Sequence, residues 1–130
     1  MTKILITGGR GDWATSFQTD FGHEYSITTA GRQELDVTDP QSVAHFFEGK
    51  SFDVVINNAG CIHPKRILDA EIDAWINDIN VNLIGTFLVS KQALHANPKT
   101  TIINISSTAG FNAYADWSAY CASKAAVITF

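Results

Sequence analysis

Lys3-Ile4-Leu5-Ile6-Thr7 is a short apolar run that passes directly into Gly8-Gly9-Arg10-Gly11. Such a run, ended by turn residues, predicts a strand buried on both faces, as in a parallel sheet. Asp12 to Phe21 reads as a helix, weakened in propensity by Trp13, Thr15 and Thr19. Tyr25–Thr29 reads as a second strand. Leu35-Asp36-Val37 reads as a very short third one, with plain loop as the alternative, because only Ala30–Glu34 precedes it. A parallel crossover normally needs a dozen residues or more. Pro40 suits the first turn of a helix capped by Asp39, with Val43, Phe46 and Phe47 as its apolar face. Asp53–Asn57 predicts the fourth strand. A long helical pattern then runs from Ile67 to about His95, in which Gly85 marks close packing or the approach of a cofactor. Thr101–Ile105 predicts the fifth strand. Ser106–Trp117 is a polar and aromatic loop, and the last helix, over 119–130, shows no stop signal. About five strands alternating with helices predict an α/β fold, an open parallel sheet with helices on both faces. The unfinished final helix predicts a fragment, incomplete at its C-terminus.

Composition narrows the class. The chain has 130 residues, 45% hydrophobic and 17% charged, which suits one domain with a core that needs no staples. A net charge of −4 with scattered basic residues argues against a nucleic-acid partner. No stretch reaches the roughly 20 apolar residues of a membrane span, so no membrane partner is expected. Two cysteines and no leader-like start point to a reducing, cytoplasmic setting. Cys61, Cys121, His23, His45 and His95 form no metal-ligand spacing, so no metal is expected.

Candidate chemistry appears first at the ends of strands. Gly8, Arg10 and Gly11, followed by Asp12 and Trp13 at a helix start and by Ala14, form a strand–loop–helix unit. Its glycines let the backbone approach a pyrophosphate, which then meets free amides at the helix N-terminus. Asn58-Ala59-Gly60 repeats the arrangement after the fourth strand. No acidic residue follows strand two; Arg32 stands there instead, with Arg10 in the first loop. Two guanidinium groups near one 2′-phosphate would form a charge-assisted fork, which favours NADP(H) over NAD(H). Asp36, beside Val37, either accepts from an adenine amino group or caps a turn.

A second group of residues lies near the end. Tyr120 and Lys124 are four apart on one helix face. A nearby ammonium favours the phenolate, so a tyrosine so placed can exchange a proton with a carbonyl or alcohol oxygen. Ser107, in the loop after the fifth strand, stands thirteen residues earlier and can hydrogen-bond that same oxygen. His63, Tyr114 and Trp117 lie in loops that either line a substrate cleft or pack locally. Trp75 reads as a packing residue.

Taken in order, Thr7-Gly8-x-x-Gly11-x-x-Ala14, Leu35-Asp36-Val37-Thr38, Asn57-Asn58-Ala59-Gly60, Val81-Asn82-Leu83-Ile84-Gly85, Asn104-Ile105-Ser106-Ser107 and Tyr120-Cys121-Ala122-Ser123-Lys124 resemble the short-chain dehydrogenase/reductase family. The resemblance implies a Rossmann sheet in strand order 3-2-1-4-5, lacking its last strands, so that residues 1–130 form one dinucleotide-binding domain. It implies Tyr120 as acid/base and Lys124 as its partner and the holder of the nicotinamide ribose. It implies Ser107 as donor to the substrate oxygen and Asn82 as the residue positioning a relay water. Gly8, Gly11, Asp36, Val37, Asn58, Ala59 and Gly60 become the cofactor cleft. The implied reaction is hydride exchange between nicotinamide and a small carbonyl or alcohol substrate. Homodimers or homotetramers formed through the Asn82 and Tyr120 helices are likewise implied. The short span between strands two and three is similar to that of nucleotide-sugar keto-reductases or epimerases, the nearest alternative. A catalytically inactive nucleotide-binding scaffold is the alternative of another class.

Overall fold

Alternation along β1 (Lys3–Thr7) sends Leu5 to one face of the sheet and Ile4 and Ile6 to the other. All three are buried, as a strand covered on both faces requires. The structure, a computed structural model, describes residues 1–130. Three further strands, β2 (Ser26–Ala30), β3 (Val54–Asn57) and β4 (Thr101–Asn104), complete a parallel sheet in the order β2-β1-β3-β4. Leu5 pairs with Thr28 on one side and Val55 on the other, and Asn57 pairs with Asn104.

The expected five-stranded sheet in the order 3-2-1-4-5 is therefore corrected to four strands, because Leu35–Val37 is loop. Its backbone is committed locally. The amides of Glu34 and Leu35 both donate to the Gly31 carbonyl, at 3.1 and 2.9 Å. The Asp36 amide donates to Ser42 Oγ at 3.0 Å, and the Asp36 carboxylate accepts from the Thr38 amide and hydroxyl. With its amides spent this way, the segment cannot form a ladder on the β2 edge. Its hydrophobicity reflects burial instead: Leu35 and Val37 plug the core from the loop.

Helix α1 (Asp12–Phe21) covers the Ile4–Ile6–Ile56 face, where Ala14 is fully buried. Helix α2 (Pro40–Phe46) starts as read, with the Asp39 carboxylate accepting from the Gln41 amide at 3.0 Å and Pro40 in the first turn. Val43, Phe46 and Phe47 face inward with Phe52, Leu5 and Val55. Each fully buried aliphatic side chain there is worth about 1.5–3 kcal/mol.

The long helix expected from Ile67 to His95 is divided. A 3₁₀ turn (Ile67–Asp69) leads to α3 (Ile72–Ile79), a π-helical turn (Asn80–Ile84) and α4 (Gly85–Ala96). Gly85 serves close packing, since a Cβ there would stand 2.6 Å from Val37 Cγ2. Helix α5 (Ser118–Thr129) packs on α3, on the π turn and on a 3₁₀ turn at Thr108–Gly110. No helix is long and apolar enough to cross a membrane. Because β1, β3 and β4 are adjacent and parallel, the loops after Thr7, Asn57 and Asn104 emerge side by side at one edge of the sheet.

Candidate active site

Thr7, at the end of β1, is buried and ties two of these loops together. Its hydroxyl accepts from the amides of Asn58 and Ala59 at 3.1 and 3.0 Å, and its carbonyl accepts from Asn58 Nδ2 at 3.1 Å. Gly8 follows with φ +65°, and a Cβ on it would meet Ala59 Cα at 2.8 Å. Only glycine allows both that conformation and that approach. The result is a cavity of about 350 Å³ whose wall includes Gly8, Arg32, Asp36, Val37, Ala59 and Gly60. Arg10, Gly11, Asp12, Trp13 and Asn58 lie outside that wall, although Asn58 anchors its floor through Thr7.

Each of the two arginines meets its own carboxylate. Arg10 pairs with Glu34 at 2.7 Å, and Arg32 stands 3.6 Å from Asp36, both on exposed guanidinium groups. The hydrogen bond from Arg10 holds the Glu34 carboxyl below its usual range. The Thr38 hydroxyl does the same for Asp36, with Arg32 adding to it. Of the two alternatives for Asp36, the structure shows the turn cap at Thr38, and Asp36 also lines the cavity.

At the other end of the edge, Lys124 is only 5% exposed. Its Nζ donates to the Ile105 carbonyl at 2.9 Å and lies 5.7 Å from the centre of the Tyr120 ring. No carboxylate stands within ion-pair distance of it, and burial pushes its pKa down. Gly60 sits between this ammonium and Asn82: a Cβ there would lie 3.4 Å from Asn82 Oδ1 and 3.6 Å from Lys124 Nζ.

Asn82, 1% exposed in the π turn, has its side chain fully engaged. Oδ1 accepts from the Cys61 amide, while Nδ2 donates to the Cys61 carbonyl and to Ser123 Oγ. Ser123 in turn donates to the Tyr120 carbonyl at 2.8 Å. Ser107 opens its 3₁₀ turn by accepting from the Ala109 amide at 3.1 Å, which leaves its own proton to donate. The neighbouring Ser106 hydroxyl donates to the Lys124 carbonyl and so fastens this loop to α5.

The roles of several participants were not legible in sequence. Thr7 is one: it opened the glycine motif, but its bonds to Asn58 and Ala59 join residues far apart in the chain. Ser123 is another, legible only as part of the Tyr-Cys-Ala-Ser-Lys string. Glu34 and Asp78 carried no signal, since the partners they meet are distant in sequence. His63 and Cys61 wall the cavity, and Cys61 is raised to about 12 by burial and by Asp78. Tyr114, Trp117 and Tyr120 form a chain of aromatic contacts at 5.2 and 5.9 Å. The Asp116 carbonyl in the same loop accepts from the Lys65 amide and joins the loop to the His63 segment. Trp75 packs as read, its indole N–H donating to Ser118 Oγ.

A family model described as short chain dehydrogenase matches residues 12–130. The 3-oxoacyl-acyl-carrier-protein reductase FabG of Aquifex aeolicus (strain VF5) is 30% identical over 137 residues, covering 99% of this chain and 55% of that protein. The chain thus spans about half the length of the curated relatives it matches. A small-chain dehydrogenase crystallised with NADPH superposes with a TM-score of 0.89 at 22% identity, covering 98% of this chain and 61% of that one. A 4-hydroxyisoleucine dehydrogenase complexed with NADH superposes with a TM-score of 0.85 at 22% identity, covering 99% and 66%.

Proposed function

The chain belongs to the short-chain dehydrogenase family, and on that premise we propose that it forms the cofactor-binding and proton-transfer half of an NADP(H)-dependent oxidoreductase acting on a carbonyl/alcohol pair. The observation that carries the reading is Lys124, a buried ammonium with no carboxylate partner, held beside the Tyr120 ring, Gly60 and Asn82. A buried charge left without a counter-charge is costly and needs a reason; a role toward a bound ligand supplies one.

The residues present fit a dinucleotide. Gly8 lets its loop lie against Ala59 with no side chain between them, and Asp36 and Arg32 line the cavity beside it. Gly8, Gly11 and the amides opening α1, with Asp12 and Trp13, hold the pyrophosphate. Asp36, Val37, Asn58, Ala59 and Gly60 hold the nucleoside. Lys124 holds the nicotinamide ribose. When bound, the cofactor supplies hydride exchange with the substrate carbon.

Tyr120 gives or takes the proton at the substrate oxygen through its phenol. Ser107 donates a hydrogen bond to that same oxygen while its Oγ stays oriented by the Ala109 amide. Lys124 stabilises the phenolate form by its charge. Asn82 acts as a positioning residue through Cys61 and through Ser123, which fixes the Tyr120 carbonyl. NADP(H) preference rests on Arg32, joined by Arg10 once Glu34 releases it. Exposed Ile72, Ile76, Ile84 and Phe87 along α3, the π turn and α4 support association with a second copy.

Titration calorimetry of the chain with NADPH and NADH tests the reading. Tighter NADPH binding supports it, preference for NADH overturns the arginine argument, and failure of a folded chain to bind either overturns the cofactor site. In the longer protein, Tyr120→Phe should lower carbonyl reduction at least a hundredfold while leaving NADPH affinity intact. Undiminished turnover would remove Tyr120 from the chemistry.

A further inference from the structure

Asp78, in the last turn of α3, is only 1% exposed, and its single ionic neighbour is His63. Every contact to its carboxylate comes from the segment just after Gly60. Oδ1 accepts from His63 Nδ1 at 2.6 Å and from Cys61 Sγ at 3.2 Å, and Oδ2 accepts from the His63 amide at 2.9 Å. The donor atoms of Cys61, His63 and Asp78 all lie within 4.8 Å of one another. A thiol, an imidazole and a buried carboxylate thus surround one point, and the protons they share there are the ones a cation would displace.

We propose that Cys61, His63 and Asp78 form a binding site for one divalent transition-metal ion of the Zn²⁺ type. The donor set selects the ion: sulfur and imidazole suit Zn²⁺ and its neighbours, whereas Mg²⁺ and Ca²⁺ want oxygen alone. Bond lengths of about 2.0–2.3 Å place the ligand atoms of a tetrahedral ion roughly 3.4 Å apart. The Cys61–Asp78 separation of 3.2 Å is already close to that value. His63 must open its 2.6 Å contact, and its half-exposed side chain is free to do so. The other two ligands stand on fixed supports. Asn82 grips both backbone groups of Cys61, and Asp78 is held in a helix. Asn77 Nδ2 donates to Cys61 Sγ at 3.6 Å, a contact suited to a thiolate ligand. The thiol proton leaves to solvent as the ion enters and the ring proton moves from Nδ1 to Nε2, so the charge of the cluster goes from −1 to 0. The fourth position is open to water, because Cys61 and His63 wall the cavity beside them. This site stands independently of the dinucleotide reading.

Cobalt titration of the metal-free 130-residue chain tests it. The expected result is a near-ultraviolet thiolate-to-cobalt band with visible tetrahedral bands, saturating at one equivalent and erased by Zn²⁺. Cys61→Ser should abolish the near-ultraviolet band, whereas Cys121→Ser should keep it. His63→Ala, at an exposed position that leaves the buried carboxylate in place, should weaken cobalt binding about tenfold or more. A spectrum without thiolate character, one that survives Cys61→Ser, or no saturable binding at all would reduce the cluster to a closed hydrogen-bonded network.

Discussion

Asn82 clamps Cys61 by both of its backbone groups, accepting from the amide at 2.8 Å and donating to the carbonyl at 2.9 Å. The residues are 21 apart in the chain, and this one side chain joins the π turn to the loop that leaves β3. The π turn places Asn82 so that it also reaches Ser123 on α5. Asn82→Ala leaves a part-buried amide and carbonyl without partners, at a cost of about 1–3 kcal/mol. Urea unfolding should show a lower midpoint at unchanged slope.

Lys124 illustrates a site in tension with stability. Burial lowers its pKa, so the native state binds this proton less readily than the unfolded chain does. Between the native value and the unfolded value near 10.4 the unfolded state holds more proton, and stability contributed by this group rises with pH across that window. Lys124→Met should remove that rise and leave the melting temperature unchanged or higher at neutral pH. The same variant should lose about tenfold or more in NADPH affinity, a charged hydrogen bond being worth about 1.5–3 kcal/mol. Calorimetry at two pH values, with and without cofactor, reads both effects.

Glu34 is the partner that a 2′-phosphate would have to displace from Arg10. Its carboxylate occupies the guanidinium at 2.7 Å on an exposed surface. Glu34→Gln should raise NADPH affinity about two- to fivefold, the scale of an exposed ion pair, and leave NADH affinity where it was. An equal gain for both cofactors would show that Arg10 does not meet the 2′-phosphate.

Asp36 carries an acid-sensitive contribution. Its carboxyl is held below the ordinary value near 3.9, first by the Thr38 hydroxyl. A depressed carboxylate stabilises the fold above the unfolded pKa, and that stabilisation is lost as pH falls through the native one. Thr38→Val should raise the Asp36 pKa, measurable by carboxyl-carbon NMR titration, and flatten the loss of stability between pH 4 and the acid limit.

Ile72, 74% exposed, and Phe87, 44% exposed, present apolar surface that solvent does not favour. Self-association through this face predicts a concentration-dependent mass in light scattering that Ile72→Asp reduces to that of one chain. A wild-type chain that stays single at every concentration removes the proposed oligomer.

Much of this was legible in the chain because it depends on neighbours in sequence. The run Ile4–Ile6 marked a strand buried on both faces, Asp39-Pro40 marked a helix start, and the four-residue step set Tyr120 and Lys124 on one face. Glycine at position 8 signalled a tight approach, and the structure shows Ala59 as what it approaches. Four features were not legible from residue type and periodicity alone. Leu35–Val37 had strand-like composition, yet Gly31 and Ser42 had already taken its amides. Helical periodicity ran unbroken from Ile67 to His95, since a π turn changes the backbone without altering which residues are apolar. Arg10 looked free for a phosphate until the fold brought Glu34 to it, and Cys61, His63 and Asp78 lacked ligand spacing until α3 packed against the loop after β3. The sequence by itself determined the local elements and the residue types available for chemistry, because propensity, capping and periodicity act over a few residues. Only the tertiary structure decided which charges are paired and which side chains meet, because those outcomes depend on long-range packing that local pattern does not encode.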